Sequence, residues 1–174
     1  MIVSASEVED AAEDRLEELG YAVIDAPMSR LTGDATAAAW ALLPVLDAGR
    51  GGSRRAFVLS GETTVRLPTV HGRGGRNQHI ACLLAGGLAG YDGFACMVGG
   101  TDGRDGNSDA AGGLVDGTTA ERAAAAGRDL RDAVERFDTA AALAAAGDAV
   151  VTGPTGTNVG DLLVATFGGR VRAK

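Results

Sequence analysis

The chain has 174 residues, 27 of them glycine, with 16 basic and 23 acidic residues and a net charge of −7. That length allows one domain with a core of its own, and an apolar fraction of 45% argues against disorder. The acidic balance disfavours nucleic acid as a partner, which needs a surplus of Lys and Arg facing phosphates. No run of about 18 to 20 apolar residues is present to span a membrane. Lys174 is the single lysine. The phosphate loop GxxxxGK[ST] is therefore excluded, and any phosphate must meet arginine, backbone N–H groups or a partner's lysine. Cys82 and Cys96 stand apart without a CxxC spacing, which argues against a zinc or redox motif. The acidic start, MIVSASEVEDAAED, lacks a basic leader region, and the expectation is a reduced, cytoplasmic protein.

In chain order, Val8, Ala11, Ala12, Leu16 and Leu19 share one helical face, predicting a helix that Ser6 caps and Gly20 ends. YAVIDA (21–26) predicts a strand, and 33–48 an alanine-rich helix around Trp40 that Pro44 kinks or shortens. RGGS (50–53) reads as a turn, AFVLS (56–60) as a buried strand, and TTVRLPTV (63–70) as its hairpin partner. HGRGGRN (71–77) is a glycine-rich loop that leads into a helix over 78–91. FACMVGG (94–100) predicts another buried strand and 101–113 a polar loop. Helices are expected over 119–127 and 129–146, then a strand–loop–strand hairpin over 150–167 and a frayed tail. The alternation predicts a single layered α/β domain with a core over about 21–167. Its mixed sheet is flanked by helices, with glycine-rich loops along one edge.

Many glycines fall in four segments that follow strands: SGETT (60–64), GRGGRNQ (72–78), GGTDGRDGNSD (99–109) and TGPTGTN (152–158). Loops at one edge of an open α/β sheet can converge on a ligand. Glycine lets backbone approach it closely, and successive N–H groups form anion nests. Plain tight turns are the alternative. Arg76 is the best candidate for a charged substrate: it precedes an apolar helix whose N-terminus favours an anion, and its fork matches carboxylate or phosphate. Asp102, Asp105 and Asp109 are candidates for Mg²⁺ or Ca²⁺ through oxygen ligands. Their spacing is not that of an EF-hand, and Asx-turns or helix caps are the commoner use of single aspartates. Thr152, Thr155, Thr157 and Asn158 could hold a phosphate or a hydroxy-acid carboxylate. Glu62 is a candidate acid/base or positioning residue. His71 and His79 can titrate near neutrality, but their spacing matches no metal motif.

Taken in order, LSGETTV, GRGGRNQ, GTDGRDGNSDAAGGLVD and TGPTGTNVGDL resemble the MOFRL domain. This is the C-terminal domain of glycerate 2-kinases, once labelled hydroxypyruvate reductases. The resemblance runs from about Tyr21 to Thr166. It implies ATP- and Mg²⁺-dependent phosphorylation of D-glycerate at its 2-hydroxyl. The site would lie in a cleft between this domain and a larger N-terminal domain, absent here, that carries nucleotide-binding elements and a functional lysine. By the same resemblance Arg76 is the catalytic candidate. Glu62, Thr63, Gly74, Gly75, Arg76, Asn77, Gln78, Thr101, Asp102, Thr155, Gly156, Thr157 and Asn158 line the substrate and phosphate site, and Asp102 and Asp105 hold the metal.

The chain departs from the family pattern at His79, where glutamate is usual, at Arg136–Thr139, and at Gly160. The leading expectation is the C-terminal half of a glycerate 2-kinase, inactive alone. It would be either a fragment or a separately encoded subunit; in the second case a separate N-terminal kinase subunit would dock on the loop face, whose apolar rim a homo-oligomer would otherwise hide. The alternative is a stand-alone, non-catalytic module for small anions. Hydroxypyruvate reduction is disfavoured, because no βαβ unit carries G-x-G-x-x-G.

Overall fold

The computed structural model describes residues 4–168; the tail from 169 onward lies outside them. Helix α1 (Ala5–Glu18) begins at Ser4 rather than Ser6. Ser4 Oγ accepts the Glu7 N–H at 3.2 Å and the Glu7 carboxylate accepts the Ser4 N–H at 2.7 Å, a reciprocal capping box. Strand β1 (Ala22–Val23) is shorter than expected. Strand β2 (Leu31–Asp34) was not among the predicted elements, since LTGD has no β-like alternation. It lies parallel to the far end of β3 because Gly61 opposite Leu31 has no side chain: a Cβ there would sit 2.1 Å from the Leu31 carbonyl oxygen. Helix α2 (Ala35–Asp47) is capped by Asp34, which accepts the Ala37 N–H at 3.0 Å. Pro44 lies inside it without ending it. The N–H that proline lacks would have met the carbonyl of Trp40, a residue 60% exposed and open to water.

Strand β3 (Arg55–Thr64) absorbs the segment expected to be the loop 60–64. Residues 65–75 carry no strand, so the predicted hairpin at 63–70 does not form. Helix α3 (Arg76–Gly87) starts earlier and ends sooner than expected, and β4 (Ala95–Gly100) falls where predicted. Strand β5 (Gly112–Asp116), whose start was read as loop, pairs with β4. After α4 (Thr119–Ala125), the single helix expected over 129–146 is two, α5 (Leu130–Glu135) and α6 (Thr139–Ala146). Between them Phe137 takes a left-handed conformation at φ 52°. There the Phe137 N–H reaches the Val134 carbonyl at 3.1 Å and the Asp138 N–H that of Ala133 at 2.8 Å, a Schellman termination.

The last two strands are β6 (Ala149–Val150) and β7 (Asp161–Phe167), and they do not pair with each other. The sheet runs β1-β3-β7-β4-β5-β6, with β2 also on β3. Strands β1 and β2 are parallel to β3 and the other pairings are antiparallel, giving the expected mixed α/β architecture of seven strands and six helices. β7 sits centrally because it is apolar on both faces. Leu163, Ala165 and Phe167 enter the main core with Phe57, Leu42, Ile80 and Leu84. Leu162 and Val164 pack with Leu16, Ala56 and Val58 under α1. No helix among the described residues is long and apolar enough to cross a membrane.

Gly61→Ala should detach β2, since the backbone at φ 150° and the Leu31 carbonyl both reject a Cβ. The expected loss is about 2 kcal/mol in denaturant unfolding, and a change under about 0.5 kcal/mol would contradict it.

Candidate functional site

Strands β3, β7 and β4 meet at one end of the sheet in the register Gly61–Asp161–Gly100. The chain leaves β3 and β4, and enters β7, at this end. Asp161, the first residue of β7, is 1% exposed. It accepts from Arg76 Nε at 2.6 Å, from Arg76 Nη2 at 3.0 Å and from Asn77 Nδ2 at 2.9 Å. This fork fixes the guanidinium plane. The hydrogen bond to Asp161 is the main reason the Arg76 pKa rises above its ordinary value, against the opposing effect of burial. The remaining nitrogen, Nη1, lies 3.0 Å from Glu62 Oε1, and the side chains of Arg76 and Glu62 are 32% and 68% exposed. Of the guanidinium's two carboxylate partners, one is buried and the other stands in solvent.

Helix α3 has no side chain at its N-cap, Gly75. The cap comes from the loop after β4: Asp105 Oδ1 accepts the Asn77 N–H at 3.1 Å and Oδ2 the Gln78 N–H at 2.8 Å. Gly75 allows this approach, since a Cβ there would lie 2.3 Å from Asp105 Oδ1. Burial pushes the Asp105 carboxyl up to about 6, opposed by the two backbone N–H bonds and by Arg76. Gln78 Nε2 donates to Ser108 Oγ and ties the same loop to α3.

The structure places the expected residues in three groups. Glu62, Arg76 and Asn77 converge on or beside Asp161. Asn77, Gln78 and Thr63 are buried and turned into the fold, while Gly74 and Gly75 form the close-packed entry to α3. The third group is the 155–158 turn, which is bonded to Thr101 and Asp102. Thr155 Oγ1 donates to the Thr101 carbonyl, the Thr155 N–H reaches the Asp102 carbonyl at 3.3 Å, and the Asn158 side chain caps the Gly160 N–H at 3.0 Å. Thr155, Gly156, Thr157 and Asn158 are exposed, and no hydrogen bond joins them to Arg76 among the described residues. Asp161 was missed in the sequence, where it stood unremarked at the end of TGPTGTNVGD. An acid opening a near-continuous apolar run was the available signal.

As metal ligands, Asp102 and Asp105 fit poorly. Asp102 Oδ1 accepts the Arg104 N–H at 3.0 Å, and both oxygens of Asp105 are taken by α3. Among the described residues no three His, Cys, Asp or Glu side chains gather to hold an ion. On this chain alone, the donor set does not fit Mg²⁺.

Beside Arg76 opens a cleft of about 490 Å³, walled by Thr63, Val65, Leu67, Phe137 and Thr139 among others. At the cleft the rings of His79 and Phe137 stack at 4.7 Å and 7°. His79 Nε2 lies 3.0 Å from Thr36 Oγ1, and burial lowers the pKa of the imidazole.

Arg76→Ala should cost roughly 3–5 kcal/mol of stability, because it strands a buried carboxylate; Arg76→Lys, which keeps a cation on Asp161, should cost clearly less in the same unfolding measurement. Asp105 supplies a pH test. Its folded pKa of about 6 lies above the ordinary 3.8, so the folded state binds its proton more tightly than the unfolded state. The resulting stability is complete below about pH 4 and is lost as pH rises through about 6. Relative to Asp105→Asn, the protein should lose stability by up to about 3 kcal/mol between pH 4 and 7; a flat difference would contradict this.

The MOFRL family model matches residues 55–161. The D-glycerate 2-kinase of Thermotoga maritima is 45% identical over 109 residues, 63% of this chain and 26% of the relative. The glycerate 2-kinase of Pyrococcus horikoshii is 39% identical over 109 residues, 63% of this chain and 24% of the relative. The crystal structure of the Thermotoga maritima glycerate kinase superposes with a TM-score of 0.87 at 34% identity, covering 94% of this chain and 40% of that one. The chain thus spans about a quarter of the curated relatives' length, and it belongs to the MOFRL family.

Proposed function

We propose that this chain supplies one wall of a glycerate 2-kinase cleft, with Arg76 as its contact to the substrate or to the phosphoryl group in transfer. One observation carries the reading: the Arg76 guanidinium is held from behind by buried Asp161, while Nη1 faces only an exposed glutamate that a ligand can displace. A preset cation of this kind stabilises charge that develops on a transferred phosphoryl group without reorganising at the moment of reaction. D-Glycerate is the acceptor that the relatives' names point to. ATP and its Mg²⁺ would be held by the larger part of the relatives that this chain does not span, supplied in a whole enzyme or by a separate kinase subunit. Half a cleft encloses neither substrate, so the chain alone is inactive.

The same geometry serves a second reading, a non-catalytic module that binds small anions through Arg76. Two measurements separate them. An ATP- and D-glycerate-dependent assay of the purified chain should show no turnover, and robust turnover would overturn the half-site reading. Calorimetric titration with D-glycerate and 2-phosphoglycerate should show binding that Arg76→Lys weakens at least tenfold, because the lone ammonium is engaged by Asp161. Adding the N-terminal part of a relative should restore turnover if the chain is a kinase half, and should leave binding unchanged without turnover if it is a module.

A further inference from the structure

The cleft beside Arg76 is larger and more apolar than a three-carbon hydroxy acid requires. Its volume of about 490 Å³ lies in the range of sites that enclose drug-sized ligands. Val65 and Leu67 give it apolar surface, and Phe137 gives it an aromatic wall.

Phe137 occupies an unfavourable backbone position. At φ 52° it fills the left-handed position after α5, where glycine is the usual residue. Its ring has one face laid parallel on His79 at 4.7 Å, and His79 is itself buried and held by Thr36. A half-buried ring, backed by a second ring and bordering an open cleft, is a stacking surface. Arg76 lies on the same cleft with one nitrogen turned to solvent-exposed Glu62.

We infer that the cleft binds an aryl-substituted 2-hydroxy acid: the ring stacks on Phe137 and the carboxylate reaches Arg76. The inference rests on the reading of Arg76 as an anion contact. A nucleotide, whose ring and phosphate share this chemistry, is the competing occupant.

Paired probes distinguish them. The whole chain is titrated calorimetrically with ADP against pyrophosphate, and with 3-phenyllactate against glycerate. 3-Phenyllactate should bind about tenfold more tightly than glycerate, the gain of one aromatic stack; a gain shown by ADP over pyrophosphate instead overturns the assignment. Phe137→Gly suits the left-handed turn and keeps the fold, which a thermal melt checks, yet it should abolish the gain; Phe137→Tyr should retain it. Arg76→Lys should weaken ringed and ringless probes alike. Ring-bearing probes that bind no more tightly, or a gain that survives Phe137→Gly, overturn the inference. The anion reading stands in that case if the ringless probes still bind through Arg76. Absence of binding by every probe overturns both.

Discussion

A carboxylate buried at the first residue of a central strand is tolerated only when it is paired and fully hydrogen-bonded. Asp161 meets that condition through the fork of Arg76 and the amide of Asn77, and the surrounding structure follows from it. Its in-register neighbours on β3 and β4 are Gly61 and Gly100, where a Cβ would run into the carbonyl oxygens of Leu31 and Arg104. Arg76 and Asn77 are the first two residues of α3, so the ion pair also fixes where that helix begins against the sheet. Removing the charge on either side would leave its partner stranded, and the site and the fold are therefore held by one interaction.

The N-terminus of α3 would ordinarily be an anion site in its own right. Here the chain fills it: Asp105 reaches across from the loop after β4 and takes the N–H groups of Asn77 and Gln78. The helix end binds an internal carboxylate and is not open to an external anion. This explains why the glycines cluster where they do. Gly75 is needed because Asp105 passes within contact distance, and Gly61 because β2 crosses close by. The glycine-rich segments are less a flexible lining than the places where backbone and carboxylate pack against each other.

The layered α/β class, α1, α2 and β4 were legible because their periodicity is local. What was lost depended on distant partners. β2 is a strand only because Gly61 admits it, and the segment 60–64 is strand because β7 and β2 pair on either side of it. The predicted hairpin at 150–167 rested on proximity in sequence, whereas β7 is drawn to the sheet centre by burial of both its faces. In the site, Arg76 was visible from its residue type and its place before a helix. Asp161 was not, since nothing local says that a carboxylate 85 positions away will meet that arginine. Asp105 was open to two readings from its loop, metal ligand or helix cap, and its partners are the backbone amides that begin α3.

The choice of arginine follows from the geometry of the ion pair. A lysine at position 76 would present one strongly hydrated ammonium, and the buried Asp161 would claim it. A guanidinium has five N–H donors in a rigid plane: Nε and Nη2 serve Asp161 while Nη1 stays available at the surface. Structural anchoring and the proposed ligand contact would thereby be carried by opposite edges of the same group. The anchor also fixes the direction of the free edge, so an anion that replaces Glu62 meets a donor whose orientation is already set, with little further ordering cost on the protein side.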